Sequence, residues 1–183
     1  MLFSIKIVLT DDDYVYFNLH TTKVYGIFKK QVLFLRILLA ALMLSLSLYE
    51  AMKLENGIAK TAFWVFILTA LTVFEILVPR YHTYCIRHQV KRIIKKGKLP
   101  YSKSSQMDFY DEFFIETDDS SKTEQKYSSI EKISFSEESK TLYLHIDKLR
   151  AYIIPGTSFD SPESMVEFIK FIKTKCSSAH VLF

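Results

Sequence analysis

The stretch "VLFLRILLAALMLSLSLYEAM", Val32 to Met52, decides how the rest of the chain is read. Apart from Glu50 near its end, Arg36 is its only charge. It carries no polar stripe at helical period, as a half-exposed soluble helix would. A helix needs about 20 mostly apolar residues to cross a hydrocarbon core of about 30 Å, and this stretch supplies them. A second block, "TAFWVFILTALTVFEILV" from Thr61 to Val78, follows closely and sits at the short end of the workable length. Two fully buried helices of a soluble protein are the competing reading, and the lack of a polar face on either block speaks against it. A signal peptide fits worse. The segment before the first block is too long for an n-region, no A-x-A-like site follows, and a second span arrives at once.

Between the blocks lies "KLENGIAK", Lys53 to Lys60, where Asn56-Gly57 is a tight-turn pair. So short a loop makes residues 31–79 an antiparallel transmembrane hairpin with spans of about 32–52 and 61–78. Lys23, Lys29 and Lys30 precede it; Arg80, Arg87, Lys91, Arg92, Lys95, Lys96 and Lys98 follow; the loop has only Lys53 and Lys60. This bias predicts a multi-pass protein of the cell membrane with both termini cytosolic. Tyr49 and Trp64 then lie near the outer interface, where amphipathic rings are favoured.

The net charge of +4 hides an asymmetry. Residues 1–100 carry 14 Lys/Arg against 6 Asp/Glu, and residues 101–183 carry 10 against 14. The basic excess belongs to the half with the apolar blocks. It therefore points to a bilayer with anionic headgroups as partner, and away from nucleic acid. Lys29, Lys30, Arg80, Arg87, Lys91, Arg92, Lys95, Lys96 and Lys98 are the expected contacts, each contributing about 1 kcal/mol near the surface. Residues 80–98 read as a basic juxtamembrane helix, with Ile86, Val90, Ile93 and Ile94 at helical spacing and Gly97 as a C-terminal cap. Arg36 lies as far before the turn midpoint, between Glu55 and Asn56, as Glu75 lies after it. Two straight antiparallel helices would put both charges at one depth, and an ion pair in lipid costs less than two lone charges. The expectation is an intramembrane Arg36–Glu75 pair; separate snorkelling to nearby headgroups is the alternative. A proton relay would need more ionisable groups than these two.

The four glycines, Gly26, Gly57, Gly97 and Gly156, are too scattered for a phosphate loop. Cys85 and Cys176 read as free thiols in a reducing compartment. None of His20, His82, His88, His145 and His180 stands in a metal motif, and His82, Cys85 and His88 spread over too wide an arc for zinc. The run Asp11–Asp13 reads as a solvated turn or helix start. No catalytic site, metal, cofactor or small-molecule substrate is indicated, and the chain is read as not an enzyme.

Beyond the basic helix, residues 101–176 form a domain of short strands and one helix. "MDFYDEFFIET" (Met107–Thr117) reads as two strands bent at Asp111-Glu112, and "EQKYSS" as a third. "KISFS" and "TLYLHID" flank the turn "EESK"; Leu142, Leu144 and Ile146 alternate with Thr141, Tyr143 and His145, as in a half-buried strand. "AYII" closes at Pro155-Gly156. A helix follows over 162–175, with Ser161 as N-cap, Pro162 at N1 and an apolar stripe of Met165, Phe168, Ile169 and Ile172. Residues 1–30 hold a strand, "LFSIKIVL", able to join the same sheet, then "TDDDYVYFNLH". There the Thr10/Asp13 spacing favours a short helix, whereas the alternation of Val15, Phe17 and Leu19 favours a strand. The fold class is thus an α+β membrane protein: a two-helix transmembrane hairpin plus a cytosolic antiparallel β-sheet capped by a C-terminal helix.

The layout resembles a family of bacterial membrane proteins, the YcxB-like proteins. The resemblance rests on "LTDDDYVYFNLH" before the first span, the hairpin itself, "YSSIEKI" (Tyr127–Ile133) and "AYIIPGTSFDSPESMVEFIKFIK" (Ala151–Lys173). It covers nearly the whole chain in order, although each motif is short. It implies a pleckstrin-homology-like (PH-like) sheet with a capping helix, held at the cytosolic face. Gly156 stands where the family pattern leads one to expect a basic residue. Acidic turns at Asp111-Glu112 and Asp118-Asp119 would repel phosphates, so inositol-phosphate binding is not expected. Three function classes remain. The leading one is a non-enzymatic membrane-anchored binding or scaffold module with an unknown protein partner or self-association. The others are an accessory or immunity-type protein against antimicrobial agents and a transporter subunit; an enzyme is least supported. The smaller face of Ala40, Ala41, Ser45 and Ser47 offers a helix-packing surface.

Overall fold

In chain order come β1 (Phe3–Val8), α1 (Asp11–Val24), α2 (Ile27–Ala51), α3 (Gly57–Lys95), β2 (Ser104–Phe109), β3 (Phe113–Asp118), β4 (Lys122–Lys126), β5 (Lys132–Ser136), β6 (Thr141–His145), β7 (Ala151–Pro155), α4 (Pro162–Lys175) and β8 (His180–Leu182). The computed structural model describes residues 1–53, 56–97 and 101–182. They divide into two units: Gly26–His88, and Met1–Tyr25 together with Gln89–Phe183.

In the first of these units, α2 and the start of α3 form the apolar pair. Both helices are long and apolar enough to cross a membrane. Only 11% of the most apolar window of one and 6% of the other is buried, which is not the burial of helices in a soluble core. Leu33, Phe34, Phe66 and Leu68 all stand more than half exposed. The span and the basic helix, expected as separate pieces about Pro79, are one continuous helix, α3. Glu55, one side of the expected turn midpoint, lies outside the described residues.

In the second unit the sequence pattern suggests one sheet, but the eight strands make two, in the orders β1-β2-β3-β4 and β7-β6-β5-β8. The break falls after β4, where a 3₁₀ turn at Tyr127–Ser129 carries the Tyr127 ring into the core and its hydroxyl donates to the Tyr110 carbonyl at 2.8 Å. The first sheet is antiparallel throughout and begins with a long-range pair: β1 runs from Phe3↔Phe109 to Val8↔Ser104 against β2. In the second, β8 lies parallel to β5, a strand that the sequence pattern does not announce. Three residues beyond the C-terminal helix carry too little pattern to do so.

Thr10 resolves the ambiguous N-terminal segment as a helix. Its hydroxyl accepts from Asp13 N at 3.2 Å, while the Asp13 carboxylate accepts from Thr10 N at 2.8 Å, a reciprocal capping box. Phe17 of α1 packs at a tilt against Tyr143, with ring centroids 5.8 Å apart, and His20 stacks on the same ring at 4.8 Å. That contact changes the expected half-burial of β6. All five of its residues are buried, because α1 covers the face that alternation alone would leave to water. At the other end, Ser161 caps α4 with Pro162 in its first turn. Phe168 and Ile172 are fully buried, and the Phe168 ring packs edge-on to Phe109 at 4.8 Å and to Phe3 at 5.5 Å. Burying each such side chain contributes about 2–3 kcal/mol. Met165 and Ile169 sit at the edge of this core, joined by Phe171.

Gly156 has a steric reason. Its N–H donates to the Lys140 carbonyl at 2.8 Å, and a Cβ added to it would stand 2.7 Å from that oxygen. No basic side chain fits at this position without moving the backbone.

Candidate functional site

The helix pair brings Arg36 and Glu75, the two charges well inside the apolar stretches, together. Arg36 Nε stands 2.8 Å from Glu75 Oε2, a charge contact whose N–H is not aligned for a hydrogen bond. The aligned bond is a second one: Arg36 Nη2 donates to the main-chain carbonyl of Glu75 at 3.1 Å. That carbonyl is special. In an α-helix the N–H of residue i bonds to the carbonyl of residue i−4, and the residue four after Glu75 is Pro79, which has no N–H. Arg36 thus serves both the side chain and the carbonyl that Pro79 leaves without its intrahelical donor. About two turns beyond Glu75 along α3, His82 Nε2 lies 3.0 Å from Gln31 Oε1, a second polar link between the helices.

Of the expected lipid-contact residues, Lys29 and Lys30 are exposed in the first turn of α2, and Arg80, Lys91, Arg92 and Lys95 are exposed along α3. Arg87 is half-buried, and Lys96 is exposed just past the helix end. Lys98 lies outside the described residues. Arg80, Arg87, Lys91 and Lys95 are spaced by seven, four and four, which sets them on one stripe of α3. His82, Cys85 and His88 follow one another on the same helix, and among the described residues no group of three His, Cys, Asp or Glu side chains is placed to hold a metal.

A cavity of about 810 Å³ lies in the two-sheet unit. It opens because the inner face of the first sheet changes character along its length. Phe109 and Phe114, partners in register, are buried beneath α4. Further along the same faces come Met107 opposite Glu116 and Ser105 opposite Asp118. Across the cavity stand Tyr152, Ile153 and Arg150, and Tyr14 and Tyr101 line it too, with their rings 4.8 Å apart. Burial raises the Glu116 carboxyl above the usual range, partly offset by a hydrogen bond to the Ser105 side chain. Asp118 moves the other way: its Oδ1 accepts from the Ser120 and Ser121 N–H groups, each at 2.7 Å, and its carboxyl is held low by them. Arg150 is engaged by Asp147, Nε to Oδ2 at 2.7 Å. None of these residues is among the sites expected from sequence. The available signal was Glu116, an acid on the inward parity of a strand whose neighbour Phe114 also points inward.

A second polar group also goes unannounced in the sequence. Ser134 Oγ lies 3.0 Å from His20 Nε2 and 2.9 Å from His145 Nε2, with Ser134 and His145 fully buried. A hydroxyl has one proton, so it donates to one imidazole and accepts from the other. His145 Nδ1 is buried without a partner. The arrangement that leaves it a bare acceptor, not an orphaned N–H, runs from His145 Nε2–H to Ser134 and from Ser134 to His20. Burial, with His20 and Lys132 nearby, pushes the His145 pKa down to about 4. Burial, then Lys23, lowers His20 as well. Ser134 has no access to solvent, so this is a core polar network and not a nucleophile with its base.

Residues 109–172 match a family model described as YcxB-like protein. The match spans β3 to β7 and most of α4, and leaves out β1, α1, the hairpin and β8. No curated protein and no solved structure matches the chain.

Proposed function

We propose that this chain, which matches the YcxB-like family model over residues 109–172, is a non-enzymatic, membrane-anchored binding module. The hairpin is the anchor and the two-sheet unit is the recognition part, of PH-like kind, facing the cytosol. One observation carries the reading. β1, which precedes the apolar pair, is zipped to β2, which follows it. A hairpin that spans the bilayer delivers both its ends to one side, and this unit needs both ends on one side. The lysine and arginine bias makes that side the cytosol. The basic stripe of exposed Arg80, Lys91 and Lys95 with half-buried Arg87 then meets anionic headgroups.

Two experiments test this. Cysteines placed singly at Asn56 and Ser120 are labelled with a membrane-impermeant reagent in intact cells. Labelling at Asn56 alone is expected, and labelling at Ser120 from outside overturns the topology. A photo-crosslinking residue at the exposed Leu149 is then used in cells, with the captured proteins identified. A discrete partner or a second copy of the chain is expected. Absence of any crosslink there and at other exposed positions of the unit sinks the binding-module reading.

A further inference from the structure

The interior between two packed sheets is normally apolar, because an ionised side chain loses its hydration there. In this unit it is apolar only where α4 closes it. At the other end Glu116 points inward from β3 opposite Met107, and Asp118 follows two residues on. A cavity of about 810 Å³ opens in front of them. Neither carboxylate has a cationic partner among the described residues. Glu116 has the Ser105 hydroxyl, and Asp118 is satisfied by its own turn. Arg150, the one cation among the lining residues, already holds Asp147. Two carboxylates against one engaged guanidinium leave the cavity electronegative. Burial first, and then Asp11, Tyr14 and Asp13, push the hydroxyl pKa of Tyr101 on the same wall up to about 12, while Asp11 itself is paired with Lys103 at 3.0 Å.

The remaining walls suit an apolar body: Phe17, Met107, Tyr152 and Ile153, with the tilted Tyr14–Tyr101 pair presenting aromatic faces that attract cations. The volume falls within the usual range for small-molecule sites, about 300–1,000 Å³, and the mixture of apolar wall and few polar groups is the usual one.

We propose that this cavity binds a small organic cation, an ammonium or guanidinium group on an aromatic or aliphatic body, with the Glu116 carboxylate taking the head group. The proposal deepens the binding-module reading and rests on it, but its test involves no membrane, no orientation and no protein partner. The two therefore fail separately.

The probe is phenethylammonium, with phenylacetate as the same body of opposite charge. The full chain is prepared in neutral detergent with ¹³C-methyl methionine, so that Met107, fully buried at the cavity wall, reports binding by NMR. The expected result is a saturable shift of the Met107 methyl with phenethylammonium and none with phenylacetate. Met43 and Met52 in or beside α2 reveal partition into the micelle, and Met165 on α4 reveals general unfolding. Glu116→Gln weakens binding by about tenfold or more, the scale of one charge-assisted hydrogen bond. An unmoved Met107 at millimolar probe, an equal shift with phenylacetate, or unchanged affinity in Glu116→Gln overturns the proposal. If Glu116→Gln disperses the other methionine signals, the comparison of the two probes on the unaltered chain decides alone.

Discussion

At the scale of single residues, Arg36 does two jobs with one guanidinium. Counting from the turn places Arg36 and Glu75 at equal depth, and the structure holds them 2.8 Å apart. The carbonyl bond was equally countable, since Pro79 is four residues after Glu75, but it belongs to the backbone, which a search for charges passes over. It yields a prediction. Arg36→Gln should loosen the hairpin by about 1–2 kcal/mol. In a Pro79→Ala background, where residue 79 supplies its own N–H to the Glu75 carbonyl, the same change should cost less. Thermal denaturation of the four proteins in detergent gives the cycle; equal costs in both backgrounds would show that the carbonyl contact contributes nothing. The second residue-scale prediction concerns acid. His145 is held neutral, with its pKa at about 4 in the folded chain against 6.5 as its ordinary value. Between those values the unfolded chain binds a proton that the folded chain refuses. Stability should therefore fall as pH drops from about 6.5 towards 4, by on the order of 3 kcal/mol, and change little from this source below that. His145→Gln, which keeps a polar partner for Ser134 and does not titrate, should flatten that limb in denaturant titrations at stepped pH. None of this was legible from sequence, because His20 and Ser134 meet across 114 residues.

At the scale of elements, local signals served well where they were self-contained. The Thr10/Asp13 spacing announces α1, and Ser161-Pro162 announces α4, because capping is decided within four residues. The burial of β6 on both faces could not be read from its alternation, since the second cover comes from α1. The Gly156 turn shows the same limit. Its lack of a basic side chain looked like a departure from pattern, yet the Lys140 carbonyl leaves no space for any side chain there. Gly156→Ala should therefore destabilise the unit by about 1–3 kcal/mol, which a chemical-denaturation midpoint would register. Lys140 itself holds φ at 50° beside this contact, so Lys140→Gly should be tolerated far better.

At the scale of the whole molecule, the strand that the sequence offers to the sheet from residues 1–30 does join it, and the unit reaches beyond residues 101–176 on both sides. β1 covers the edge of β2, α1 covers β6, and β8 adds to β5. A 101–183 fragment lacks the first two and should be poorly folded, with weak near-ultraviolet circular dichroism. A chain in which residues 26–88 are replaced by a long flexible Gly/Ser linker keeps every strand and should give a cooperative unfolding transition without detergent. If the fragment alone folded as well as the linked chain, β1 and α1 would be ornaments. The pairing of Phe3 with Phe109 also has a meaning in time. The first strand synthesised has no partner until more than a hundred further residues exist, several seconds at ordinary translation speeds of about 5–20 residues per second. Both long apolar helices, α2 and α3, are made in that interval. A hairpin inserted with one end on the wrong side would leave β1 and β2 on opposite faces of the membrane, and the unit would never close. If the pair crosses a bilayer, completion of this small fold inspects the insertion that came before it, and a misthreaded copy is exposed to proteolysis by its own unpaired strand.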